Sequence, residues 1–294
     1  MAGDKYSAVW VSHSSMGDFL KCPRAYYLHN VYKSPKTGRK MNIVNPALSL
    51  GSAVHEVVEG LGDFKVEERK DKLTKDALLA TFEKAWKKVS GKKGGFLSLE
   101  EELEVKARAE SMLMRVHENP GPLLDKTVKV KDGENGLPPN YLLSVEDNII
   151  LCGKIDWLVY KPEDDTVHIL DFKTGRHDEN EESLQLPIYQ LLLKNLQKRS
   201  TSGASYWYLD RDDAPKEVDL PGLEESFERV IKVAQEVKHA RDEAKLVGPE
   251  EAFQCPRGEE GCFTCRPFEK IIRGEAEYIG TGEMRQDLYI VPGK

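Results

Sequence analysis

The sequence predicts a mixed α/β, or α+β, fold: a central sheet flanked by helices, with further helices inserted ahead of it. Three observations carry this. Apolar residues recur at helical spacing between 47 and 118, the pattern turns to period two from Lys126, and helix, strand and helix follow over 182–246.

With 294 residues, 39% of them hydrophobic, the chain can bury one large core or two smaller ones. The expected divisions are a helical and basic N-terminal segment over 1–46, helices including an insertion over 47–125, a sheet-bearing core over 126–247 and a cysteine-rich segment with a tail over 248–294. No run of apolar residues is long enough to cross a membrane. The opening Met-Ala-Gly-Asp-Lys-Tyr lacks the basic-then-apolar order of a secretory leader, so a cytoplasmic protein is expected. A net charge of −7 argues against a protein that coats nucleic acid through phosphate neutralisation alone. A local basic surface is still available. No acidic residue falls between Asp18 and Glu56, whereas Lys21, Arg24, Lys33, Lys36, Arg39 and Lys40 do. A solvated loop would have the same composition.

Taken in order, Ser14 or Ser15 can cap a first short helix carrying Phe19 and Leu20 inward, and Pro23 suits the first turn of a second. A polar basic loop over 33–45 leads to a helix over 47–61, with Leu48, Val54, Val57, Val58 and Leu61 on one stripe. His55 lies on that helix. Position 59 is Glu59 and not a second histidine, so the zinc-peptidase pattern is absent, and a lone helical histidine is ordinarily structural. Two charged helices over 74–89 and 99–118 carry one apolar stripe each, separated by Gly91-Lys-Lys-Gly-Gly95. Strands are expected over 127–131 and 141–145, then a long strand reaching Asp156 after the turn Glu146-Asp147-Asn148. A strongly apolar helix over 182–197 follows the central hairpin. On it Gln185 and Tyr189, four apart, can point the same way. A strand over 205–210 and an amphipathic helix over 223–246 complete the pattern.

The chemistry is concentrated in the hairpin. Ile155–Tyr160 and Thr166–Phe172 are apolar, β-branched runs separated by Pro162-Glu163-Asp164-Asp165. A turn centred on those four residues pairs Tyr160 with Val167, Leu158 with Ile169, Asp156 with Asp171 and Lys154 with Lys173. Opposed carboxylates repel, and one should have its pKa raised. A divalent cation between them turns the repulsion into a site, since hard oxygen ligands suit magnesium or manganese. Lys173, two residues along from Asp171, would reach an anion bound there. An exposed hairpin with scattered charges is the plainer alternative.

Five cysteines in a chain of this kind suggest metal or cluster ligation before disulfides. Cys22 stands near the start, Cys152 beside the hairpin, and Cys255, Cys262 and Cys265 bunch near the end. Cys152 is expected as a buried apolar residue.

The set Gly51-x-x-x-His55, Gly153-Lys-Ile-Asp156, Asp171-Phe-Lys173-Thr-Gly and Gln185-x-x-x-Tyr189 resembles the PD-(D/E)XK nucleases. It is most similar to the RecB-type nuclease domain and the CRISPR-adaptation exonucleases, as are Ser12-x-Ser14 and Lys21-Cys-Pro-Arg-Ala-Tyr-Tyr. The resemblance runs over about 12–266. It implies a restriction-endonuclease-like core and a metal-dependent DNA exonuclease of recombination, repair or CRISPR spacer processing. His55, Asp156, Asp171 and the backbone carbonyl of Phe172 would hold Mg2+ or Mn2+. Lys173 would orient or activate the attacking water, and Gln185 and Tyr189 would position that lysine and the nucleic-acid backbone. DNA, single-stranded or with free ends, would be the partner, together with a helicase or a CRISPR integration protein, since no Gly-x-x-x-x-Gly-Lys-Ser/Thr loop is present to drive unwinding. The resemblance also implies a 4Fe–4S cluster on Cys22, Cys255, Cys262 and Cys265. Their Cys-x6-Cys-x2-Cys order departs from the familiar Cys-x2-Cys with a longer gap after it, which leaves a structural zinc open. A non-catalytic DNA-binding or scaffold module and an RNA-processing nuclease are the rival functions.

Overall fold

The structure, a computed structural model, describes residues 7–292. The chain forms two compact units that alternate along the sequence. One takes the described residues up to Val44, Asp132–Gly153 and those from Gly222 onward; the other takes Asn45–Lys131 and Lys154–Pro221. Helices and mixed sheets together give the α/β character that the restriction-endonuclease-like reading expects. Among the described residues no helix is long and apolar enough to cross a membrane.

The second unit is built on a four-stranded sheet. Trp157–Lys161 runs antiparallel to Thr166–Lys173, which runs parallel to Thr201–Tyr208, which is edged by antiparallel Lys216–Val218. The helix Gln185–Leu196 makes the crossover that the parallel pair requires. The hairpin register is the one the sequence dictates, with Tyr160 against Val167 and Leu158 against Ile169. Its turn closes through Asp165 at φ 52°, a left-handed conformation that aspartate tolerates. Side-chain alternation then sorts the strands: Trp157, Val159, Leu170 and Phe172 face one core.

That core is completed by helices. Asn45 caps Pro46–Gly60 by accepting from the Leu48 N–H at 3.0 Å, with Pro46 in the first turn where its missing N–H costs nothing. Leu50, Val54, Val57 and Val58 from that helix, Phe82 and Trp86 from Lys75–Val89, and Leu113 and Val116 from Leu99–Glu118 pack with the sheet residues and Trp207. Each large side chain so buried contributes roughly 2–3 kcal/mol. The helices expected as an insertion thus share the sheet's own core. Leu48, assigned inward from the stripe, is 59% exposed, because it sits in the first turn ahead of the buried face.

The first unit holds two three-stranded sheets. Val9–Val11 lies parallel to Ile149–Cys152, which pairs antiparallel with Asn140–Ser144; Met41–Ile43 lies parallel to Asp287–Ile290, which pairs with Glu277–Thr281. Several expectations are corrected here. The strand over 149–152 stops before Asp156, which lies in a bend. Residues 127–131 form only an isolated bridge, Thr127 to Val159. Ser12, not Ser14 or Ser15, caps His13–Lys21, and Leu20 is exposed. Met41–Ile43 and the residues beyond 267 make strands and a helix where the sequence shows no periodicity. Cys152 is half-buried, its thiol donating to the Val11 carbonyl at 3.4 Å.

Arg69 has no carboxylate partner in its hydrogen-bond set and is 2% exposed. Its Nε donates to the carbonyls of Leu61 (3.2 Å) and Phe64 (3.1 Å), its Nη1 to those of Leu123 (3.1 Å) and Asp125 (2.7 Å), and it lies 5.0 Å over the Trp157 ring. Arg69→Ala would remove the side-chain donor from four carbonyls, of which that of Leu61 still accepts the Phe64 N–H, and is expected to cost on the order of 3 kcal/mol. Arg69→Lys should recover only part, because an ammonium lacks the planar fork. Urea unfolding reads both; an Arg69→Ala midpoint equal to wild type would refute the assignment.

Candidate active site

At one end of the sheet the hairpin strands part. Trp157 is the last paired residue of its strand, yet Asp156 just beyond still reaches back: its Oδ2 accepts the Phe172 N–H at 3.1 Å. The carboxylate thereby replaces a backbone acceptor at the sheet's edge. Asp171, one residue before Phe172 and so on the opposite face, is 1% exposed.

Asp171 is met by donors from the crossover helix. Its Oδ1 accepts from Gln185 Nε2 (2.7 Å) and from the Tyr189 hydroxyl (3.1 Å), and Gln185 also donates to that hydroxyl at 3.0 Å. Its Oδ2 meets the Lys173 ammonium at 2.8 Å without hydrogen-bond alignment. Lys173 further contacts Glu179 at 2.8 Å, donates to Gln185 Oε1, and lies 4.7 Å over the Tyr206 ring. The helical four-residue spacing thus delivers one side chain that touches both Asp171 and Lys173, and a second that backs it.

From the other side comes the Pro46–Gly60 helix. His55 Nδ1 lies 2.8 Å from Glu59 Oε1 and 3.5 Å from Asp156 Oδ2, and the imidazole stands edge-on to Phe172 at 6.3 Å. Gly51, one turn earlier, lets the helix sit close: a Cβ there would lie 3.2 Å from Thr174 Oγ1, near enough that this side chain would have to shift. Donor atoms of His55, Glu59 and Asp156 all lie within 4.8 Å of one another. An imidazole with two carboxylates suits a hard divalent cation. This donor group contains two of the expected ligands, His55 and Asp156, with Glu59 where Asp171 was expected; the Asp171 carboxylate is engaged instead by Gln185, Tyr189 and Lys173.

All the expected residues of this site, His55, Asp156, Asp171, Phe172, Lys173, Gln185 and Tyr189, fall in one unit and around one sheet end. Two details differ from the sequence reading. Glu59, which in the sequence only spoils a zinc-peptidase pattern, joins His55 at the site, and its i+4 position is the signal for that. Lys154, placed opposite Lys173 by extending the register, pairs instead with Glu59 at 2.5 Å. The basic run from Lys21 to Lys40 lies in the other unit, where Arg24 is paired with Glu269 and Arg39 with Asp287.

Protonation follows the crowding. Burial, and next the Asp171 charge, push the Asp156 carboxyl from 3.8 up to about 8. Burial would lower the His55 pKa, but the Glu59 hydrogen bond and the Asp156 charge outweigh it and raise it above the ordinary imidazole value. Burial likewise opposes the Lys173 charge and is overcome by Asp171, so the ammonium keeps its proton. Burial raises the Tyr189 hydroxyl well above its usual range.

The first unit contains a second cluster. Cys22, Cys255, Cys262 and Cys265 are all buried, with their Sγ atoms within 4.8 Å of one another. This donor set could hold an iron–sulfur cluster or a zinc ion.

The sequence model of a family described as the PD-(D/E)XK nuclease superfamily matches residues 10–267. Nothing among curated proteins matches the chain.

Because Asp156 and His55 hold protons more tightly in the folded chain than in the unfolded one, the metal-free protein should lose stability as pH rises through roughly 4 to 8. Asp156→Asn keeps the acceptor for the Phe172 N–H and removes the charge. It is expected to raise metal-free stability at about pH 8 by at least ~1 kcal/mol and to flatten the pH profile. Manganese should restore the wild type at that pH and leave the variant unchanged. Thermal midpoints across pH, with and without the ion, provide the check; parallel profiles for the two proteins would contradict it.

Proposed function

Because the chain belongs to the PD-(D/E)XK nuclease superfamily, which implies a divalent-metal-dependent nuclease acting on nucleic acid, we propose that it is a DNA exonuclease hydrolysing phosphodiester bonds in single-stranded or end-bearing DNA. Recombination, repair or CRISPR spacer processing would be its setting, with unwinding or spacer integration left to a partner. The carrying observation is the interlock of Asp156, Asp171, Lys173, Gln185 and Tyr189 at the sheet end.

A divalent cation on His55, Asp156, Asp171 and the Phe172 carbonyl, with Glu59 alongside, would lower the pKa of its bound water and offset charge on the phosphate. The chain's own groups supply the rest. Lys173, held protonated, acts as a donor: it orients the attacking water and counters the negative charge that builds on the phosphate oxygens. Gln185 accepts from Lys173 and donates to Asp171, so it fixes the distance between the cation and the carboxylate. Tyr189 keeps its proton and donates it to Asp171, holding that side chain's rotamer. Phosphodiester hydrolysis asks mainly for such positioning and charge compensation. Two neighbouring carboxylates, one of them buried, are costly without a cation, which argues against a module that only binds DNA.

The test uses end-labelled single-stranded DNA with manganese. Asp171→Ala and Lys173→Ala should each lower kcat by roughly 100-fold or more, and Gln185→Ala by about 10-fold, at wild-type thermal midpoints within the site's own effect. A circular strand of the same sequence should resist, and matched RNA should be cut more slowly. Equal cleavage by all variants would sink the assignment of the site; rapid cutting of the circle would sink the exonuclease reading, and preference for RNA the substrate.

A further inference from the structure

We propose that Cys22, Cys255, Cys262 and Cys265 hold a single zinc ion and not the four-iron cluster that their number and order suggest. The argument is first one of size. A tetrahedral zinc with Zn–S bonds of about 2.3 Å sets its sulfurs about 3.8 Å apart. Cys262 Sγ and Cys265 Sγ lie 3.8 Å apart, and no pair among the four exceeds 4.8 Å. In a four-iron cluster each thiolate binds a different corner of a cube. Its sulfurs then stand on a tetrahedron enlarged by the cube itself, and a ceiling of 4.8 Å leaves no room for one.

The backbone around the sulfurs is arranged for thiolates. The Ala25 N–H donates to Cys22 Sγ at 3.5 Å, Arg257 to Cys255 at 3.5 Å, and Cys262 to Cys265 at 3.2 Å, while Thr264 and Cys265 donate to Cys262. Each of the four sulfurs therefore receives a main-chain N–H. Four thiolates on one divalent ion carry two excess negative charges, and such donors stabilise them. All four ligands are protein atoms and all are buried, which makes the site closed and structural in type.

The unusual spacing serves the same end. Between Cys255 and Cys262, Gly258 at φ 72° and Gly261 at φ 70° turn the chain back on itself, so that three sulfurs converge within eleven residues of sequence. A Cβ on Gly261 would come within 3.0 Å of Cys265 Sγ. A side chain at position 261 would crowd that sulfur, so the turn requires glycine there. Loading would exchange the four thiol protons for one zinc ion, with no change of oxidation state.

The experiment uses the full chain, purified without oxygen from cells supplied with both iron and zinc. Metal content, acid-labile sulfide and visible absorbance are then measured. The expected protein is colourless, carries about one zinc that survives a mild chelator wash, and contains neither iron nor labile sulfide. Exchange with cobalt should give the intense visible bands of a tetrahedral thiolate site. Asp156→Asn should keep those bands and Cys262→Ser should lose them. Iron with matching labile sulfide would overturn the proposal, as would a metal-free protein whose four thiols react freely. Should Cys262→Ser fail to fold, the wild-type stoichiometry and cobalt spectrum still decide. No nuclease activity is read, so this inference and the proposed cleavage can fail independently.

Discussion

A buried carboxylate with a half-buried one beside it is the constraint to which one half of this molecule answers. Asp156 and Asp171 come together because a hairpin register, fixed by its apolar alternation, runs out between them. The surrounding groups divide the charge unequally. Asp171 is met by Gln185, Tyr189 and Lys173, whereas Asp156 is met by one backbone N–H and an imidazole. The proton therefore belongs on Asp156. It is also a proton that an incoming divalent ion would have to displace, which couples ion binding at this residue to pH.

Much of this was legible because the informative signals are local. Alternation within Trp157–Lys161 and Thr166–Lys173 leaves one register that buries the apolar faces, and a one-residue slip would expose them. The four-residue spacing of Gln185 and Tyr189 needs only a helix to become a shared face. What alternation cannot reveal is where pairing ends. Asp156 was expected inside a strand and lies in a bend, so its side chain, freed from the pleat, caps the sheet edge instead. Lys154, beyond that bend, goes to Glu59.

The other misses share a cause. Met41–Ile43 pairs parallel with Asp287–Ile290, about 245 residues away, and each strand is three or four residues long. Such strands are too short for periodicity to register, and their partner is decided by tertiary packing around Leu28, Phe268 and Val291. The two-unit division is invisible for the same reason. The segment Asp132–Gly153 belongs with the chain's two ends, while the residues on either side of it build the carboxylate site. Glu59 fails to complete a zinc-peptidase motif, yet its i+4 position places it on the face that it shares with His55.

Lys173 shows how far the site is committed before any substrate arrives. An ammonium has three N–H groups, and three oxygen partners stand ready for them: Asp171, Glu179 and Gln185, with the Tyr206 ring below. A phosphate oxygen or water can engage this lysine only by displacing one of the three. Asp171 and Gln185 are bound to each other and anchored on a strand and a helix, so neither yields without disturbing the other. Glu179 stands in the irregular stretch between them, its N–H donating to the Tyr208 hydroxyl at 2.9 Å. A substrate group that engages Lys173 must therefore replace the Glu179 contact or break the paired hold of Asp171 and Gln185 that aims the ammonium.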